Sequence, residues 1–254
     1  MRHRAPAVPR AGSGRTARAI GVLGELLITL GVLVALFVVW QLWWTDVVAA
    51  RHQSEVLDGL GWAYQEPLNP PSAPSASAGT SPERHDAAPV DAEPADVGTT
   101  FATLRVPRWG ADYVRTISEG TTRSDVLDVL GIGHYVRTAM PGGIGNFAVA
   151  GHRTTYNKPF NRVEELRVGD ALVVQTADTW YVYTVTSTEI VRPDQVEVIA
   201  PVPGDPAAAP SQAQMTLTTC HPMYSARQRY VVHALLDHWL PVADGPPAEI
   251  TGSA

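Results

Sequence analysis

Hydrophobic and polar positions fall into two contrasting textures along this chain. Residues 19 to 44, AIGVLGELLITLGVLVALFVVWQLWW, are apolar on every helical face and carry a single charge, Glu25. At ~1.5 Å rise per residue a helix of that length runs roughly 39 Å, enough to cross a ~30 Å hydrocarbon core with some tilt. A cleaved signal peptide would have an apolar stretch of only about 7–15 residues followed by small residues. This one ends instead in Trp40, Trp43 and Trp44, which suit a membrane interface. From about Phe101 the pattern becomes short and alternating. FATLRVP, DYVRTI, NFAVAGH, ALVVQTA, TWYVYTVTSTEIV, QMTLTTC and RQRYVVHALL are rich in Val, Thr, Tyr and Ile, and Gly, Pro and Asp separate them. Such runs predict a mainly β domain, a sandwich or a barrel.

ALVVQTA and TWYVYTV, joined at Ala177–Asp178, read as a hairpin. TTRSDVLDVLG has a threonine cap, an early aspartate and a closing Gly131, and predicts one helix; PFNRVEEL predicts a second, shorter one. Residues 46 to 64 extend the apolar helix weakly. Residues 66 to 98, dense in Pro, Ala and Ser, cannot bury enough apolar surface to fold and read as a spacer with a reach of about 30 Å. The expected organisation is a basic tail over 1–18, a transmembrane helix over 19–44, a spacer over 45–99, a folded domain over 100–241 and a tail over 242–254.

Charge fixes the expected orientation. Residues 1 to 19 hold five arginines and no acid, so within the net charge of −6 the remainder carries −11. Positive residues stay on the cytoplasmic side, which puts the N-terminus inside and residues 45–254 outside a plasma membrane. A folded part that acidic lacks the basic face nucleic acid needs.

Cys220 is the only cysteine. Outside the membrane a lone thiol makes no internal disulfide, and no set of Cys and His at metal-ligand spacing accompanies it. An inert buried thiol or a nucleophile remains. In QMTLTTC, Met215 and Leu217 share one face while Thr216, Thr218 and Cys220 share the other. The apolar face of an antiparallel sheet packs on the core, so Cys220 looks outward at a strand end. In NFAVAGH, Phe147 and Val149 mark the core face and His152 falls opposite. In RQRYVVHALL, Tyr230, Val232 and Leu236 mark the core face and Arg229 falls opposite, with Arg227 its rival. A thiolate, a histidine and an arginine on one outer face would support acyl transfer: attack on a peptide carbonyl, protonation of the leaving amine, and binding of the oxyanion. His134 and His233 read as structural, His221 points away from Cys220, and the remaining arginines read as solvated.

These residues resemble the sortase family of membrane-anchored cysteine transpeptidases. TLTTC matches the TLxTC signature, GHR at 151–153 resembles the motif at the family's catalytic histidine, and RYVVHA from Arg229 resembles its last strand. TLTTCHP, HRTTYNKPF and the single N-terminal anchor look most like class E. The resemblance implies a closed eight-stranded β-barrel with Cys220, His152 and Arg229 as catalytic residues and Thr219, Thr218 and Tyr113 along the substrate groove. It implies cleavage of the Thr–Gly bond in an LAxTG- or LPxTG-like sorting signal of a secreted protein. The acyl group then passes to the amine of a lipid-linked peptidoglycan precursor. No cofactor is implied. Glu164 and Glu165 would be the edge of any calcium site, though adjacent acids more often line a solvated face. Other readings are a thiol hydrolase of the same peptides, a class C-like pilin polymerase, and a non-enzymatic wall-binding β-domain.

Overall fold

The computed structural model describes residues 14–63 and 83–251. The first residues of the basic tail, the centre of the Pro-rich stretch and the last three residues lie outside these. The chain separates into a unit ending at Trp44 and a second unit from Thr45 onward. Helix α1 spans Gly14–Gly59, beginning before the apolar stretch and continuing through much of the weakly helical segment 46–64. In the first unit its apolar side chains, among them Leu26, Ile28, Leu33 and Phe37, are exposed, and the helix is long and apolar enough to cross a membrane.

The second unit is built on eight strands: β1 Thr100–Arg105, β2 Val114–Glu119, β3 Ile132–His134, β4 Gly145–Ala150, β5 Ala171–Gln175, β6 Thr179–Val191, β7 Ala213–His221 and β8 Gln228–Pro241. They close into a barrel in the order β1-β2-β3-β4-β7-β8-β6-β5. The predicted hairpin is β5–β6, paired from Ala171↔Thr184 to Gln175↔Trp180. Two pairings depart from the antiparallel pattern: β2–β3 and β4–β7 are parallel. The alternating apolar positions converge inside, where Leu104, Ile117, Phe147, Met215, Leu217 and Val232 are fully buried.

The outer face of β7 is covered too. Thr216, assigned to the non-core side, is buried and its hydroxyl bridges Asn146 and His233. A turn at Val196–Ile199 packs Val198 against Val191 and Val231 over that side. The predicted helix in TTRSDVLDVLG is a single wide turn over Arg123–Leu127, and the one in PFNRVEEL is a 3-10 turn over Val163–Glu165. Residues 84–98, spacer-like by composition, lie along the barrel: Arg84 exchanges two backbone hydrogen bonds with Trp239, and Tyr181 donates to the Pro89 carbonyl. The pairing is between backbone groups, so polar composition does not prevent it.

Leu217 lies at the centre of this arrangement, flanked by β4 and β8. Leu217→Ala should cost about 2–5 kcal/mol of stability, through lost burial and the cavity left behind. Urea denaturation of the two proteins measures it as a lower midpoint at unchanged slope.

Candidate active site

A cleft of about 560 Å³ opens on the barrel wall at the C-terminal ends of β4 and β7. His152, Thr218, Thr219, Cys220 and Arg229 all line it. Strand register brings the three reactive groups into one row. Ala150 on β4 lies beside Thr218 on β7 in a parallel ladder, which the Gly151 N–H extends by donating to the Thr218 carbonyl at 3.2 Å. Two residues past that pair come His152, just beyond the end of β4, and Cys220, still on β7. Across the antiparallel β7–β8 ladder Cys220 pairs directly with Arg229. Directly paired residues point to the same face with Cβ atoms about 4.5–5.5 Å apart. Arg227 does not line the cleft; it sits in the exposed turn before β8, with its N–H donating to Ser225.

The imidazole of His152 is oriented from outside this row. Its Nε2 lies 2.6 Å from Oδ1 of Asp128, on the residue that ends the turn after β2. A carboxylate only accepts, so Nε2 carries the proton of that bond and Nδ1 is the nitrogen left for proton exchange. Tyr156 packs its ring 5.1 Å from that of His152. Arg229 directs its Nη1 to the carbonyls of Ala226 and Gln228, which leaves its other donors for an anionic or carbonyl partner.

The loop that carries His152 is fastened to β7 from beneath. Arg153 is buried, and its guanidinium donates to the carbonyls of Asn161 and Cys220 and pairs with Glu164 at 3.0 Å. Arg153 is therefore not solvated, contrary to expectation; its place beside His152 in GHR is the one sequence signal that points to it. Glu164 also meets His221 at 3.0 Å, and Glu165 pairs with Arg162, whose hydrogen bond holds the Glu165 carboxyl below its ordinary range. Both acids are thus engaged with cations.

Of the expected groove residues, Thr218 and Thr219 are in place with their hydroxyls turned to the β4 backbone. Thr219 donates to the Gly151 carbonyl at 2.7 Å, and Thr218 donates to Val149 and touches the Tyr135 hydroxyl at 3.0 Å. Tyr113 is not in the cleft. It packs edge-on against Trp109 and donates its hydroxyl to the Pro159 carbonyl, and burial pushes that hydroxyl's pKa upward. It braces the far side of the histidine loop. His134 and His233 are structural as expected: His134 meets Glu119 inside the barrel wall at 2.7 Å, and His233 bridges Thr216 and Glu189. Asp128 is the functional-site residue that sequence reading missed. It lies in a segment read as a helix, where an aspartate has no periodic signature.

A closed barrel that gathers a thiol, an imidazole and a guanidinium at one cleft holds the groups that acyl transfer through a cysteine uses. Comparison with known proteins narrows the class. The sortase domain family matches residues 104–237, more than half of the chain. Sortase SrtE1 of Streptomyces coelicolor is 34% identical over 233 residues, which are 89% of this chain and 59% of that protein. The SrtA sortase from Actinomyces oris superposes with a TM-score of 0.63 at 44% identity, over 66% of this chain and 96% of that one. Sortase E from Streptomyces avermitilis superposes at 0.55 with 39% identity, over 61% of this chain and 99% of that one. The chain belongs to the sortase family and is similar to sortases of the E type.

At Gly151 the start of the histidine loop packs tightly on Phe160 and Pro159. A Cβ there would sit 2.8 Å from the Phe160 ring and 3.0 Å from Pro159. Gly151→Ala should leave the barrel folded by circular dichroism, lower its stability by about 1–3 kcal/mol through overpacking, and lower turnover by displacing His152.

Proposed function

We propose that this protein is a membrane-anchored transpeptidase that cleaves the Thr–Gly bond of an LAxTG- or LPxTG-like sorting signal and joins the threonine to a peptidoglycan-precursor amine. The observation that carries the reading is the shared register of β4, β7 and β8, which aligns His152, Cys220 and Arg229 along one cleft. The Cys220 thiol gives its proton to Nδ1 of His152, its sulfur adds to the threonine carbonyl carbon, and the Arg229 guanidinium receives the oxyanion. As the C–N bond breaks, His152 gives a proton from Nδ1 to the departing glycine amine, leaving a thioester. The incoming amine attacks that thioester and loses its proton to His152, and the sulfur departs. Asp128 acts as a positioning residue: its carboxylate holds Nε2–H, so the exchanging proton stays on the side of the thiol.

Thr218 and Thr219 shape the floor of the cleft, and their hydroxyls keep β4 and β7 at fixed separation. In this reading helix α1 is the anchor, with its N-terminus cytoplasmic and the barrel outside. Both the sorting-signal protein and the lipid-linked acceptor reside at the membrane, so anchoring raises the effective concentration of all three partners.

The test uses the full chain in detergent with quenched LAxTG and LPxTG peptides, with and without a glycine amine. Cys220→Ala should abolish cleavage. Arg229→Ala should lower kcat/KM by about 10²–10³-fold, as for removal of an oxyanion donor, while Arg227→Ala stays near wild type. Release of free acid despite excess amine would instead identify a hydrolase, and no cleavage by the folded protein would leave a binding domain. Asp128→Asn should lower kcat on the order of tenfold to hundredfold with KM little changed, since it disturbs proton transfer and not peptide binding.

A further inference from the structure

Away from the cleft, two buried polar atoms face each other. His238, on β8, is 2% exposed and its Nε2 has no hydrogen-bond partner; Oε2 of Glu249, on the short C-terminal helix α2 (Ala248–Thr251), has none either. They stand 3.9 Å apart. The other ring nitrogen of His238 is spoken for: Nδ1 lies 2.9 Å from the Asp237 carboxylate, which accepts its proton. With Nδ1–H given to Asp237, a neutral His238 presents its Nε2 lone pair to the Glu249 carboxylate. Two sheltered acceptors in that arrangement repel unless something positive lies between them.

A third ligand is within reach. The carboxylate of Glu83, His238 and Glu249 each offer a ligand atom within 4.8 Å of the others. All three sit on anchored backbone. Glu83 precedes Arg84, whose N–H and carbonyl bridge Trp239 at 3.1 and 3.0 Å, and His85 faces Glu83 at 3.8 Å. Glu249 is held because its neighbour Ile250 packs on Val173, Trp180, Val182 and Leu240. We propose that Glu83, His238 and Glu249 form a binding site for a zinc-class divalent cation, which ties the segment before the barrel and the helix after it to β8.

The donor chemistry selects the class of ion. Zinc takes imidazole nitrogen at about 2.0–2.1 Å and carboxylate oxygen at about 2.0–2.2 Å, so tetrahedral neighbours lie about 3.3 Å apart. The 3.9 Å gap closes to that value with a small rotation of the Glu249 side chain. An imidazole whose second N–H is held by a carboxylate is the usual outer-sphere support for a metal-bound histidine. Calcium, which prefers 6–8 oxygen ligands, fits this set poorly. Sequence reading had no access to the site, because its ligands lie at 83, 238 and 249 with no local spacing among them.

The test uses the untagged full chain in detergent, stripped of metal with a chelator and dialysed against micromolar Zn²⁺. Bound metal is counted by mass spectrometry and thermal unfolding is followed in parallel. The expected result is a single tightly held Zn²⁺ per chain and a raised unfolding midpoint, with no such rise in Ca²⁺. Glu83→Gln and Glu249→Gln should each weaken Zn²⁺ binding by about tenfold or more while melting normally without metal. His238→Gln should abolish it. The proposal is overturned if the wild type retains no Zn²⁺, if both Glu→Gln variants bind as the wild type does, or if Ca²⁺ raises the midpoint equally. Loss of binding on Glu93→Gln instead would overturn it too, since it would locate the ion beside Glu119 and His134.

Discussion

The parallel ladder between β4 and β7 is the constraint on which the rest of the site depends. Parallel strands advance in step, so Ala150 and Thr218 end the ladder as a pair, with His152 two residues past one and Cys220 two residues past the other. An antiparallel β7–β8 pairing then sets Arg229 directly opposite Cys220. A slip of one residue in either ladder would turn a reactive side chain through the barrel wall, because side chains alternate with a period of two. The core therefore enforces the chemistry. Phe147, Val149, Met215, Leu217 and Val232, all fully buried, have no alternative register that keeps them inside.

Beyond the strand ends the register has no authority, and side chains take over. Thr219 donates to the Gly151 carbonyl, Arg153 reaches the Cys220 carbonyl, and the Phe160 N–H donates to the His152 carbonyl. These bonds continue the spacing of the ladder past its last pair. The absence of a side chain at Gly151 lets Phe160 fold under the loop at all. His152 is thus held on its backbone side by the Phe160 N–H and on its ring side by Asp128, two independent restraints on the imidazole.

How much of this was legible in the sequence follows from what each feature depends on. Alternation in NFAVAGH, QMTLTTC and RQRYVVHALL revealed which side each reactive residue faces, since burial imposes that pattern locally. It could not reveal that β4 and β7 run parallel, because pairing direction leaves no trace within either strand. β3 escaped notice since Ile132–His134 is three residues long, too short to alternate, and Gly133 is there because the Gly120 carbonyl lies 2.2 Å from where its Cβ would be. Tyr113 was misassigned to the groove and Arg153 to the solvent for one reason: residue type says nothing of the direction a side chain takes from a loop. The strap over 84–98 was read as spacer although it is tied down through the backbone at Arg84 and Pro89, a kind of contact that composition does not record.

The loop after His152 shows what the second half of α1 contributes. Tyr156, Asn157 and Lys158 have φ of 54°, 62° and 37°, three successive non-glycine residues in the left-handed region. Each such residue costs on the order of 1 kcal/mol or more, and the conformation persists only where its surroundings over-determine it. Here the surroundings are two residues of α1 within the second unit. Asp46 accepts from the Asn157 N–H at 3.1 Å and from Lys158 at 2.8 Å, and Gln53 accepts from the Asn157 amide at 2.9 Å. Gln53 is itself buried over Gly131, in the segment that follows Asp128. The helix therefore touches both structures that orient His152: the loop on which it sits, through Asn157, and the turn that supplies its carboxylate partner, through Gly131. By sequence, residues 46–64 read only as a weak extension of the apolar helix; the contacts of Asp46 and Gln53 make that part of α1 a support of the loop that carries His152.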